Sequence, residues 1–239
     1  MKITSKTTSF LTFIIMFVSA VVNAAVIFND PGFSGEFTAV GDPFDETDSA
    51  HFDKWVSKDG EADSGATIRE WTMEGTGGNP LGYADGTLGN SDSYRRTMFQ
   101  LVTDDKVNTG LMDFNFDLNL VTTGSNTMVV GIWGVENQAG ATFNFDTAPG
   151  PSFGVDSESA VSLATQSYST DTSGWEGQTI SNVNLGTGYD WIIVGFQANN
   201  FNQDETLGID NVSMVPEPST FALLGLAGLA VLFFRRRSA

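Results

Sequence analysis

The 239-residue chain contains no cysteine and one histidine. Without thiols there is no disulfide, no cysteine nucleophile and no thiolate metal site, so the fold has to be held by packing or by a bound ion. His51, set in the acidic stretch 42–53, cannot build a histidine zinc site by itself. Basic residues are also scarce: 11 Lys and Arg stand against 29 Asp and Glu, a net charge of −18. Nucleic acid and anionic lipid head groups are bound through Lys and Arg contacts to phosphate, so this balance argues against both as partners. No stretch between the two ends shows sustained three-to-four spacing with capping signals, which leaves no long helix to carry spaced ligands. Long apolar runs are missing too. The longest uncharged apolar stretch near the C-terminus, residues 221–234, is fourteen residues, about 21 Å if helical, whereas a hydrocarbon core is about 30 Å thick.

What is present at that end is an ordered set of three features. Pro216-Glu217-Pro218 comes first, then the short apolar run interrupted by Gly225 and Gly228, then Arg235-Arg236-Arg237. The arginines would stay on the cytoplasmic side while the short helix halts translocation. Residues 215–239 resemble the PEP-CTERM sorting signal of Gram-negative bacteria, whose order of Pro-Glu-Pro, apolar helix and basic cluster is met in full. The resemblance covers only this tail. It implies an exosortase as processing partner, passage through the inner membrane, transient attachment by the C-terminal helix, and release or transfer to the cell surface or extracellular matrix. Other C-terminal signals likewise lose their apolar tail, so that the mature protein keeps no membrane helix.

At the other end, Lys2 and Lys6 form a basic region, residues 10–22 an apolar one, and Val22-Asn23-Ala24 a small-residue cleavage site. Residues 1–24 are therefore expected to be a signal peptide. Trimming both ends removes five of the 11 basic residues and one of the 29 acidic ones, leaving the body, residues 25–214, near −22. Such a surface either simply solvates the fold or also collects divalent cations.

About 190 residues suffice for one domain with a sizeable core. The clearest pattern within it is Asp113-Phe114-Asn115-Phe116-Asp117-Leu118-Asn119-Leu120, a strict alternation that puts rings and leucines on one face of a strand and acids and amides on the other. Further strands are expected at residues 26–29, 67–73, 94–102, 127–135, 141–145, 191–197 and 207–214, separated by Gly, Asn, Asp and Ser. Eight or so such strands predict an all-β protein, a single antiparallel β-sandwich of jelly-roll type. Residues 74–92 and 147–188 read as excursions from it, the second with room for a strand pair near 178–185. Gly75-Thr76-Gly77-Gly78-Asn79 lacks the Lys-Ser/Thr and the helix of a phosphate loop.

The segment Leu207-Gly208-Ile209-Asp210-Asn211-Val212-Ser213-Met214 is similar to the closing strand of galactose-binding-like jelly rolls, including many carbohydrate-binding modules. Phe28-Asn29-Asp30-Pro31-Gly32-Phe33-Ser34 loosely resembles their opening strand, with Ser34 where a glutamate is expected. The resemblance implies that the first and last strands lie side by side and that acidic residues from both hold a structural calcium ion. Asp210 matches one ligand; Glu36 serves as the other only after a register shift. Regular parity puts Asp210 on the side of Val212. If that side is the core, the carboxylate needs a cation or hydrogen-bond donors; otherwise a bulge breaks the parity, or Asp210 caps a turn. Such modules bind sugar on exposed rings. Trp175, in Ser173-Gly174-Trp175-Glu176-Gly177, is the candidate, with core packing as the competing role; Trp133 and Trp191, in apolar runs, read as core.

Three functional classes follow. The sorting tail supports a structural or adhesive protein of an exopolysaccharide or biofilm matrix, and it equally supports a carbohydrate-binding module recognising an extracellular polysaccharide. A glycoside-active enzyme needs a carboxylate pair that nothing in the sequence singles out, so no catalytic residue is assigned.

Overall fold

The computed structural model describes residues 26, 28–33, 38–39, 44–45, 55–59, 71–79, 82–86, 95–102, 110–124, 126–136, 142–145, 155–156, 160–186, 189–199, 201 and 205–217. The expected signal peptide (residues 1–24), Glu36, His51, Pro218, the apolar run and Arg235, Arg236 and Arg237 lie outside these residues. Among the described residues no helix is long and apolar enough to cross a membrane.

Among the described residues the strands follow in order: β1 (Thr38–Ala39), β2 (Phe44–Asp45), β3 (Trp55–Asp59), β4 (Thr72–Glu74), β5 (Tyr83–Asp85), β6 (Arg95–Val102), β7 (Leu111–Val121), β8 (Thr127–Val135), β9 (Thr142–Phe145), β10 (Val155–Asp156), β11 (Ala160–Tyr168), β12 (Glu176–Asn184), β13 (Trp191–Asn199) and β14 (Thr206–Pro216). They make a six-stranded sheet in the order β1-β3-β6-β13-β8-β11, a five-stranded sheet β12-β7-β14-β5-β4, and a small sheet β10-β9-β2. The recorded pairings are antiparallel apart from the short parallel contact of β1 with β3. The two larger sheets form a β-sandwich, as the alternation in β7 predicts.

The inner face of each strand explains why. In β7 the residues Met112, Phe114, Phe116, Leu118 and Leu120 are buried while the intervening polar residues are partly exposed. They meet Met128, Val130 and Ile132 of β8 and Ile192, Val194 and Phe196 of β13 in one core. The Phe116 and Phe196 rings cross edge to face at 5.4 Å, a geometry aromatic quadrupoles favour. Strands β8 and β13 sit in the middle of the six-stranded sheet and are buried on both sides, so they read as nearly continuous apolar runs. A second apolar cluster, Val56, Phe99, Leu101, Val129, Trp133, Val135, Trp191 and Ile193, lies on the face turned away from the other sheet.

The region 147–188 is not an excursion. It supplies β10 and two nine-residue strands, β11 and β12. Those two do not pair with each other: β11 closes the six-stranded sheet beside β8, and β12 closes the five-stranded one beside β7. Edge strands bury little and stay polar to avoid unwanted pairing, so their sequences carry no apolar alternation. The expected excursion 74–92 also contributes a strand, β5, to the five-stranded sheet. The strand expected at 26–29 is reduced to one bridge, Val26 to Met214, which nonetheless sets the chain's opening and closing segments side by side.

Residues 28–33 then turn into the core. Phe28 stacks on Trp55 at 6.3 Å and Phe33 lies 4.8 Å from the same ring. The Trp55 indole N–H donates to the Asp30 carbonyl at 3.0 Å, and buried Gln100 exchanges two hydrogen bonds with the Asn29 backbone.

Candidate functional site

Asp210 is the most constrained carboxylate of the described residues, at 1% exposure. Its position follows from a break in parity. Leu207 and Ile209 face the core, and so do Val212 and Met214, which places one extra residue between the two sets. Asn211 absorbs it at φ +50°, a left-handed conformation that asparagine tolerates better than most residues. This bulge turns Asp210 away from the core side and under the loop between β4 and β5. There Oδ2 accepts the Asn79 backbone N–H at 2.6 Å and Oδ1 accepts that of Asn211 at 2.7 Å. A Cβ at Gly78 would stand 1.9 Å from the Gly82 carbonyl oxygen and 2.8 Å from Asp210 Oδ2, so only glycine lets the loop close this tightly. The Gly-rich stretch that cannot cradle a phosphate thus wraps one of the chain's own carboxylates.

The surrounding charge is negative. Burial pushes the Asp210 carboxyl above its ordinary range, the two backbone hydrogen bonds pull it back, and Asp117 and Asp30 push it up again. Asp117 also receives the side-chain amides of Asn79 at 3.0 Å and Asn211 at 2.8 Å, and Asn211 reaches the Asn79 carbonyl as well. Val212 N donates to the Pro31 carbonyl at 3.0 Å, so the opening turn, the β4–β5 loop and β14 meet at this point. A calcium ion needs six or more oxygen ligands. Both Asp210 oxygens accept N–H donors, and Glu36, the other expected ligand, lies outside the described residues.

Trp175 lies beside this loop and is half-buried. Its indole N–H donates to the Gly77 carbonyl at 3.0 Å, and its ring meets Tyr83 edge on at 5.4 Å. A Cβ on Gly208 would come within 2.7 Å of Trp175 Cη2, so the ring rests on the bare backbone of β14. Glu176 fixes the preceding turn by accepting both the backbone N–H and the hydroxyl of Ser173 at 2.8 Å, which holds its carboxyl below the usual range. Trp175 thus clamps β12, the β4–β5 loop and β14 together, leaving part of its ring open to solvent. Trp133 and Trp191 are core, as expected.

Two features escaped the sequence. Glu205, 4% exposed, accepts the backbone N–H and hydroxyl of Thr123 at 2.7 and 2.9 Å through Oε1 and the Asn126 amide at 2.6 Å through either oxygen. It ties the β7–β8 turn to the start of β14. A glutamate in a polar loop gives no sign of burial. The second is on the outer face of the six-stranded sheet, where the Trp133 ring lies across Gly131. Buried Gln197 Oε1 and Asn199 Oδ1 on the same face of β13 have no hydrogen-bond partner.

The sorting motif begins where the sandwich ends. Strand β14 runs through Pro216, and Glu217 follows at once. Residues 215–237 match the family described as the PEP-CTERM protein-sorting motif. The chain carries a PEP-CTERM tail. This match marks the protein for export and sorting and leaves the sandwich unassigned. No curated protein matches the chain at a significant level. Among solved structures the chain is similar to TmCBM61 in complex with beta-1,4-galactotriose (12% identity, 82% of this chain and 100% of that one, TM-score 0.43). It is also similar to the CBM22-1 xylan-binding domain of Xyn10C from Paenibacillus barcinonensis (8%, 82% and 97%, 0.44). A third likeness is to the Stig cyclase Fisc from Fischerella sp. TAU (13%, 82% and 98%, 0.46). At these values the resemblances assign this chain neither a ligand nor a reaction.

Proposed function

We propose that this PEP-CTERM protein is an exosortase substrate that reaches the cell surface or extracellular matrix, where its acidic β-sandwich plays a structural or adhesive, non-catalytic part in an exopolysaccharide or biofilm matrix. The observation that carries this reading is the sorting motif at residues 215–237, which starts within the last two residues of β14. A strongly acidic, cysteine-free body is consistent with solubility outside the cell. The two most buried carboxylates of the described residues, Asp210 and Glu205, are engaged by backbone and amide donors, which leaves them in a holding role. Replacing Pro216, Glu217 and Pro218 together by alanine, in a host with the sorting protease, tests the reading. The protein should move from the surface and medium fractions to the membrane fraction. Unchanged distribution would refute it.

A second reading, recognition of an extracellular polysaccharide, is favoured by the half-buried Trp175, whose ring lies against Tyr83 beside the β4–β5 loop. Co-sedimentation with insoluble polysaccharides separates the two. Retention that is lost in Trp175→Ala would support this site. Retention kept in that variant would remove Trp175 from the reading, and no retention leaves the structural role.

A further inference from the structure

We propose that, however the chain is sorted, two copies pair edge to edge through β11 and β12, so that each sheet continues into the partner's. The two sides of the sandwich are unequal. Among the described residues the six-stranded sheet ends on one side in β1 and the five-stranded sheet in β4, strands of two and three residues. Short strands blunt an edge. The other two edges are β11 and β12, nine residues each, which lie against each other without pairing. Every second residue of an edge strand turns its N–H and C=O outward, where another strand can take them up. Lys and Pro are the usual guards of such an edge. Neither strand contains one, and residues 159–189 hold only two charged side chains, Asp171 and Glu176, on a body near −22. Both are engaged within the chain, Asp171 by Thr122 N at 2.8 Å and Glu176 by Ser173 N at 2.8 Å. A second acidic copy, held off elsewhere by like charge, meets little repulsion along this edge.

Each strand does carry a bulge, between Ser162 and Ala164 in β11 and between Ile180 and Val183 in β12, where Asn182 has φ +62°. The chain passes from β11 to β12 through residues 169–175, so both bulges fall at the far end of the edge and the regular runs 164–168 and 176–180 at the near end. Thr165, Gln166 and Ser167 are exposed in succession, so both faces of β11 are open there. The occupant follows from the geometry. A single extended peptide fills one edge only. A partner for both must present two strands at the separation of packed sheets, about 10 Å, and the same edge of a second copy does so. A two-fold axis normal to the sheets sets β11 antiparallel to its copy and β12 antiparallel to its copy. Because the opposite edges are short, the assembly closes as a dimer.

The test uses the full chain in mild detergent and the absence of native cysteine. Single variants Thr165→Cys, Gln166→Cys and Ser167→Cys place a thiol on β11, and Thr72→Cys places one on β4 as the control. Antiparallel neighbours stand about 4.5–5.5 Å apart between Cα atoms, which a disulfide can span. Mild oxidation should cross-link at least one of the three β11 variants and leave Thr72→Cys unlinked. Sedimentation should show a dimer whose dissociation constant rises roughly tenfold or more in Thr165→Glu/Ser167→Glu, where like charges face each other across the axis, with the Tm kept. No cross-link at any of the three positions, equal cross-linking at Thr72→Cys, or a dimer indifferent to the added charges overturns this pairing.

Discussion

Replacing Asp210 with alanine removes the carboxylate that gathers Asn79, Asn211 and the bulge of β14. Two hydrogen bonds to a charged group are lost, each worth about 1.5–3 kcal/mol, and two N–H groups remain without a partner, while the cost of burying the charge is recovered. The net loss should be about 2–4 kcal/mol. For a body of this size roughly 2–4 °C of Tm accompanies each kcal/mol, so a drop of roughly 5–15 °C is expected in a thermal melt followed by circular dichroism. Asp210→Asn keeps the shape and one acceptor but sets an amide N–H₂ against one backbone donor, so it should cost less, about 1–2 kcal/mol. The pH dependence separates the hydrogen bonds from the charge. The folded carboxyl titrates above its ordinary value of 3.8, so the folded state holds this proton more tightly than the unfolded state does. Stability tied to the group is then full below 3.8 and is lost as pH rises through the folded value. The penalty of Asp210→Asn should therefore be smaller at neutral pH than in acid. An Asp210→Ala variant within about 0.5 kcal/mol of wild type would refute the role assigned to this carboxylate, because that is the range of inert surface changes.

Glu205→Gln should cost about 1–3 kcal/mol, since one of its oxygens becomes a donor facing Thr123 N or the Asn126 amide; urea melts measure it, and a neutral result would show that the β7–β8 turn stands without this tie. Trp175→Ala should cost about 2 kcal/mol and Trp175→Phe about 1 kcal/mol, the Phe value reporting the lost indole hydrogen bond to Gly77 and the difference the packing of the ring; a neutral Trp175→Phe would remove that bond from the account. Chelation by EDTA should leave the Tm unchanged, whereas a fall that Asp210→Asn abolishes would establish an ion at Asp210 against the geometry seen. Tyr168, its hydroxyl desolvated and its ionisation pushed up to about 12, should be the last tyrosine seen in an ultraviolet titration. As a group with a raised folded value, it contributes stability that is present below pH 10.0 and lost as pH rises through about 12, and ionisation of all tyrosines together near pH 10.0 would contradict its burial.

The parts of the fold with much apolar surface to bury were legible in the sequence. Strand β7 announces itself by strict alternation, and β8 and β13 by apolar runs, because hydrophobic burial writes itself into composition. Strands β11 and β12 have little to bury at the sheet edges, so Ser, Thr, Gln and Asn made them look like loop. The Asp210 bulge was legible as one of three alternatives, because parity gives the question and only the backbone at Asn211 gives the answer. Trp175 stood out as a tryptophan among glycines and serines. Its partners, Gly77, Tyr83 and Gly208, come from three other segments and are joined to it only by folding. Glu205 gave no signal at all: a carboxylate that organises a turn from 79 residues away in sequence resembles any other surface acid.

The fate of the tail decides the central claim, that this acidic sandwich is delivered by a removable PEP-CTERM segment. The direct measurement is the intact mass of the protein recovered from medium and from membranes of a strain with the sorting protease. The account predicts that the secreted form lacks Arg235, Arg236, Arg237 and the apolar run. A mature protein that keeps residues 221–237 and stays embedded in lipid would contradict it.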